Sequence, residues 1–158
     1  MAIDKVREYL KQWDREGDIL EFDSSSATVE LAANALGVVP GRIAKTLSFK
    51  TEDGALLVIA AGDAKIDNAK FKSEYGLKAK MLTPEEVVEY TGHAIGGVCP
   101  FGLSRELPVY LDISMKRFET VFPACGSSNS AIELTCDELM EYSGGSRWVD
   151  VCKNWKAE

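Results

Sequence analysis

The sequence holds a single histidine, His93, among its 158 residues. A Ser-His-Asp or Cys-His site would have to use it. No H-E-x-x-H, P-loop, G-x-G-x-x-G or G-x-S-x-G pattern occurs. Long apolar runs are missing as well. The longest strongly apolar stretch is 55–61, well short of the roughly 20 residues that span a membrane, so no membrane partner is expected. Residues 1–18 alternate charged with apolar positions and do not read as a signal peptide. A cytoplasmic location is the default expectation. Positive charge is in deficit: 18 Lys and Arg against 25 Asp and Glu leave a net charge of −7. That excludes a generally basic nucleic-acid coat, but not a local basic patch. There is no internal repeat, linker or low-complexity tract.

The four cysteines, Cys99, Cys125, Cys136 and Cys152, include no C-x-x-C pair. Structural zinc needs closely spaced ligand pairs, so neither a metal nor another cofactor is expected. Without a secretory signal a disulfide framework is not expected either, and four reduced, mostly buried thiols fit better. With 46% apolar and 27% charged residues, the composition is that of an ordinary globular chain, long enough for one core; one domain over 1–158 is expected.

Ile3, Val6, Leu10 and Trp13 recur at helical spacing, with Gly17 as a stop. A hydroxyl-rich loop at 24–28 precedes a second apolar face, Val29, Ala32, Ala33 and Leu36, ended by Gly37. Residues 45–50 and 55–61 read as strands joined by a turn at Glu52-Asp53-Gly54. The unbroken apolar character of 56–59 predicts a strand covered on both faces. A helix is predicted over 64–75 and a short strand over 79–82. Thr83-Pro84-Glu85-Glu86 starts a further helix with a capping box. Strands follow at 109–112, 120–122 and 131–134. Thr135 to Glu138 repeats the capping box ahead of a helix that ends at Gly144-Gly145, and 148–152 alternates like a last edge strand. Strict β-α-β alternation is absent. The fold class expected is mixed α/β: a curved mixed sheet or small β-barrel with helices packed outside.

Several residues invite chemical readings. His93 sits in the glycine-rich stretch 92–102, where a solvated or backbone-bonded imidazole is the plain alternative to a general base. Lys45 enters an apolar strand, either as a snorkelling surface residue or as a cation aimed into a cleft. The loops 96–100 and 126–129 are dense in backbone N–H groups that can bind a carbonyl, carboxylate or phosphate. Segment 64–80 carries Lys65, Lys70, Lys72, Lys78 and Lys80 against Asp67 and Glu74. That makes a local basic patch, either a solvated helix face or a phosphate contact.

Four segments together carry a resemblance. They are Ser26-Ala27-Thr28-Val29-Glu30-Leu31-Ala32, Arg42-Ile43-Ala44-Lys45-Thr46-Leu47, Gly92-His93-Ala94-Ile95-Gly96-Gly97-Val98-Cys99-Pro100-Phe101-Gly102, and Ala124-Cys125-Gly126-Ser127-Ser128-Asn129-Ser130. In this order they resemble the YbaK/EbsC family, the editing domains associated with prolyl-tRNA synthetase. The resemblance implies a small barrel-like α/β domain that acts in trans to hydrolyse mischarged tRNA, tRNA-Pro or another tRNA carrying a small amino acid. Lys45 matches the family lysine that meets the 3′-terminal adenosine or its phosphate. Gly96 and Pro100 match the ends of a GxxxP motif whose backbone holds the aminoacyl ester. On this reading Lys45, Gly96 and Pro100 carry the catalysis. Thr28, Gly97, Val98, Cys99, Gly126, Ser127, Ser128 and Asn129 contact the substrate. Hydrolysis is assisted by the substrate's own groups, in keeping with the scarcity of histidine.

Partners implied are the mischarged tRNA and, for delivery or competition, an aminoacyl-tRNA synthetase or elongation factor. Where relatives carry a histidine in the later glycine loop, this chain has Ser127, Ser128 and Asn129. Two other classes stand beside this reading. One is a non-catalytic module of the same fold that binds a nucleotide, a tRNA or a peptide. The other is a thiol hydrolase or redox protein using Cys99 or Cys125, which needs a depressed thiol pKa.

Overall fold

A computed structural model describes residues 2–155. The first half contains α1 (Ala2–Leu10), β1 (Leu20–Glu21), α2 (Val29–Leu36), β2 (Ile43–Thr51), β3 (Gly54–Ala61), β4 (Lys65–Ile66), α3 (Asn68–Tyr75) and α4 (Pro84–Thr91). The second contains β5 (Val109–Asp112), β6 (Thr120–Pro123), β7 (Ser130–Ala131), β8 (Leu134–Thr135), α5 (Cys136–Tyr142), β9 (Arg147–Val149) and β10 (Cys152–Lys153). Six strands form one curled sheet in the order β8-β6-β2-β3-β5-β9. Its middle pair, β2 and β3, is the expected antiparallel hairpin, closed where Thr51 pairs with Gly54. Around it β6, β5 and β9 join by parallel pairings and β8 by an antiparallel one. The sheet is mixed, with helices against it, as the element order predicts.

From Ala55 to Ala61 no side chain of β3 is more than 4% exposed. The strand is covered on both faces, which is why its sequence lacks polar alternation. α1 buries Ile3, Val6 and Leu10 at helical spacing, then tightens into a 3-10 turn at Lys11–Trp13. α3 drives Phe71 against Phe49, with ring centroids 4.7 Å apart. Thr83 and Glu86 make the predicted capping box on α4, and Thr135 and Glu138 make the second on α5.

Four boundaries differ from expectation, each for a local reason. The helix expected over 64–75 starts only at Asn68, because Asp67 caps it through Lys70 N. Lys65 and Ile66 instead pair with Lys153 and Cys152. The strand expected at 79–82 shrinks to one bridge, Phe49 to Met81. The strand expected at 131–134 is split into β7 and β8, although both halves keep one register against β6, since Leu134 faces Val121 and Ala131 faces Ala124. Between them Ile132 N donates to Pro123 O at 3.1 Å. Pro123 has no N–H to return the bond, so the ladder breaks there. The edge strand expected at 148–152 divides into β9 and β10 because Val151 N donates to buried Asp112 at 2.9 Å while Val151 O accepts from Asp67 N.

Candidate functional site

From Thr46 onward the hairpin strand β2 shows one side to the core and the other to a cavity, and before it Ile43, Ala44 and Lys45 line the cavity in succession. Leu47 and Phe49 pack inward. Ala44, Thr46 and Ser48 alternate with them and line a cavity of about 230 Å³. The wall continues through α2 at Val29 and Ala32, through Leu82 and Val87 beside α4, and through Phe122 and Ala131. Met81 and Ile95, 56% and 62% exposed, form an apolar rim.

Among the described residues, Lys45 is the one charged residue in this lining. Its ammonium donates to the carbonyls of Ala64 and, at 3.3 Å, Gly62. An ammonium has three protons, so one stays available for a ligand. Burial is the main cause that lowers the Lys45 pKa from the usual lysine value, against the opposing pull of Cys152, Asp63 and Glu30. Asp63 itself is engaged by Arg117, with N–O distances of 2.9 and 2.5 Å. Among the described residues, no carboxylate, imidazole or thiol lines the cavity.

Three loops close the mouth and are tied to one another through backbone. Ser26 N donates to Ser128 O at 2.6 Å, and Gly126 N donates to Gly97 O at 3.0 Å. Gly96, at φ +98°, passes so close to the first loop that a Cβ there would lie 3.1 Å from that of Ala27. At Gly97 an added Cβ would sit 2.7 Å from Ser127 N. Glycine is required at both positions for this contact.

Of the residues singled out from sequence, Lys45, Thr28, Gly96 and Val98 line the cavity. Thr28 also caps α2 by accepting from Leu31 N. Gly97, Gly126, Ser127, Ser128 and Asn129 lie behind the lining and hold the mouth together. Asn129 clasps Phe22 by two hydrogen bonds, and Ser127 Oγ lies 2.6 Å from the Oγ of Ser130, itself a lining residue. Cys99 and Pro100 are not brought to the cavity. Cys99 faces His93 and the Phe101 carbonyl, and Pro100 lines a separate concavity with Tyr9 and Leu103.

His93 is fully buried, and its Nε2 donates to Phe101 O at 2.7 Å. Burial lowers its pKa, so the neutral ring serves as a clasp inside the 92–102 loop. Burial pushes the Cys99 thiol up to about 12 and Cys125 well above the ordinary range. Neither thiol lines the cavity.

Thr46 and Ser48 escaped the sequence reading. Their signal is a small polar residue at every second place of a strand whose other places are Leu47 and Phe49. Thr46 Oγ1 is buried without a hydrogen-bond partner among the described residues. Met81 and Ile95 carried no signal, since exposed apolar residues are ordinary.

Comparisons with known proteins bear on the fold and the family. The aminoacyl-tRNA editing domain model matches residues 23–142, which include the cavity lining and all three loops at its mouth. An uncharacterized Bacillus subtilis protein, YwhH, is 60% identical over 157 residues, covering 99% of this chain and 100% of that one. EbsC of Enterococcus faecalis, described as a candidate Cys-tRNA(Pro)/Cys-tRNA(Cys) deacylase, is 27% identical over 75% of this chain and 73% of its own. A crystal structure described as a candidate trans-editing enzyme for prolyl-tRNA synthetase superposes with a TM-score of 0.87 at 33% identity, over 96% of this chain and 97% of that one. With fold, cavity and family model in register, the chain belongs to the aminoacyl-tRNA editing domain family.

Proposed function

We propose that the protein is a trans-acting deacylase that hydrolyses the ester of tRNA mischarged with a small amino acid, tRNA-Pro being the first candidate. The observation that carries this reading is the cavity itself: one ammonium, three loop backbones at the mouth and, among the described residues, no carboxylate, imidazole or thiol in the lining. An aminoacyl ester is already activated, so orientation and a few donors on the developing oxyanion can supply the rate. The aminoacyl group enters between β2 and α4, and its terminal ribose stays at the mouth. The free proton of Lys45 meets the adenosine end or its phosphate, while backbone N–H groups of the 96–100 loop face the ester carbonyl. A water or a group of the substrate itself attacks the carbonyl carbon. The ribose oxygen leaves with a proton, and its neighbouring hydroxyl relays that proton. The cavity volume of about 230 Å³ sits below the usual range for drug-sized ligands, which suits a small aminoacyl side chain.

The test is a panel of mischarged tRNAs with initial deacylation rates for the parent and Lys45→Ala, using circular dichroism as the folding control. Hydrolysis is expected for small residues. Lys45→Ala should lose about 2–4 kcal/mol of transition-state stabilisation, roughly 30- to 1000-fold in rate. A folded Lys45→Ala at the parent rate would overturn the role of Lys45. A panel with no hydrolysis would leave a binding module of the same fold.

A further inference from the structure

The cavity uses one lysine, and most other cations of this acidic chain are already paired. The arginines all meet carboxylates: Arg7 with Glu21, Arg15 with Glu138, Arg42 with Glu133, Arg105 with Glu89, Arg117 with Asp63 and Arg147 with Glu74. Lys11, Lys50 and Lys70 do the same with Glu8, Glu86 and Asp150. Lys116 lies over the Trp148 ring. Among the described residues, segment 64–80 holds four lysines without an ion-paired carboxylate, Lys65, Lys72, Lys78 and Lys80, and the pairing of β4 with β10 sets a fifth, Lys153, beside Lys65; Lys5, Lys45 and Lys116 are the others.

Lys65 and Lys153 stand directly opposite each other in that antiparallel pair. Opposed residues point to the same face, and like charges so placed repel. The nearby carboxylates are committed. Asp67 is bound to the N-terminal N–H groups of α3, which with Lys153 and Lys70 hold its pKa low. Asp150 is bound to Lys70, which also takes the Cys152 carbonyl and so fixes β10. The pair is also contiguous with the cavity. The residue before Lys65 is Ala64, whose carbonyl receives the Lys45 ammonium, and the charge of Lys65 is felt at Lys45. The segment returns to the cavity at Met81. The opposition of Lys65 to Lys153 is itself unfavourable to folding, but it suits a polyanion whose end lies in the cavity.

We propose that Lys65 and Lys153 form a phosphate clamp that grips the sugar-phosphate backbone of an RNA upstream of the 3′ end held at Lys45. This rests on the aminoacyl-tRNA reading of the cavity.

The experiment measures binding of uncharged tRNA by fluorescence anisotropy at several salt concentrations, alongside deacylation kinetics. K65E/K153E should weaken binding at low salt by tenfold or more. It should lower the magnitude of the log-log salt slope by about 1.5, as expected for two lost phosphate contacts. Its KM should rise while kcat at saturation holds. K65R/K153R should retain binding, and K11E/K116E, with the same change in net charge, should bind as the parent does. K153E alone should bind RNA more weakly, with a melting curve as the folding control; this variant serves if the double reversal fails to fold. Parent-like affinity and slope in K65E/K153E, or in a folded K153E, would overturn the clamp. So would lysine-dependent binding of poly-glutamate without binding of RNA. Lysine-dependent RNA binding in a protein that deacylates nothing on the panel would support the clamp and remove the deacylase reading, so the two fail separately.

Discussion

Cys99 Sγ lies 3.6 Å from His93 Nε2, a pairing that in an open cleft would activate a nucleophile. Here both groups are sealed in, and both approach the Phe101 carbonyl. Burial raises the thiol and lowers the imidazole, so proton transfer to make a thiolate-imidazolium pair is opposed from both sides. Cys99→Ala and Cys125→Ser are therefore expected to keep most deacylase activity, measured as initial rate on one mischarged tRNA. Loss of activity in a folded Cys99→Ala would restore the thiol mechanism. His93→Ala should act on stability instead. It empties a buried site and removes the 2.7 Å hydrogen bond to the Phe101 carbonyl, leaving that oxygen only the weak Cys99 contact, costing about 2–4 kcal/mol. A chemical denaturation curve should show that loss while kcat of the folded fraction stays near the parent value. Position in sequence left a solvated or backbone-bonded imidazole open; the structure shows the backbone-bonded form, and which carbonyl it meets, Phe101, became visible only once the loop's path was known.

At the scale of elements, the mouth depends on loops that touch through backbone. Gly97→Ala should drive them apart, because the new Cβ would meet Ser127 N and, at 2.8 Å, Gly126 C, neither of which can rotate away. Deacylation should fall at least tenfold with a modest loss in melting temperature; a fully active variant would show that the contact is dispensable. α4, which carries Val87 into the cavity wall, is held at its start by Glu86. That carboxylate is bonded to Lys50 and to Thr83 N, which bring its pKa down to about 2. A depressed carboxylate stabilises the fold above its unfolded value of 4.5 and ceases to do so as pH falls through about 2. Melting temperatures between pH 5 and 2 should therefore drop less steeply for Glu86→Gln than for the parent, and equal slopes would count against this role. Caps of this kind are legible because hydroxyl, proline and glutamate act within one turn. The split at Pro123 was less legible, since only pairing with Ile132 reveals a missing donor.

Across the whole molecule, the hairpin, the mixed sheet and the helices could be read from periodicity, because burial leaves a regular pattern. Lys45, Thr28 and Gly96 were legible as parts of recognisable segments. Pro100 and Cys99 belong to the same motif yet turn away from the cavity, since contiguity along a loop does not fix which side a residue faces. Pairing between distant segments was least legible. Nothing local announces that Lys65 will face Lys153, or that Val151 will give its N–H to Asp112.

The loops at the mouth are joined by main-chain bonds, from Ser26 to Ser128 and from Gly126 to Gly97, while Val29, Met81, Val87 and Ile95 are apolar residues of the wall and rim. In the proposed mechanism these two duties are separable. Selectivity can then be retuned by exchanging wall residues one at a time, as a locksmith recuts wards without moving the bolt. A directed-evolution library confined to those four positions would search amino-acid preference while the ester-binding geometry stays in place.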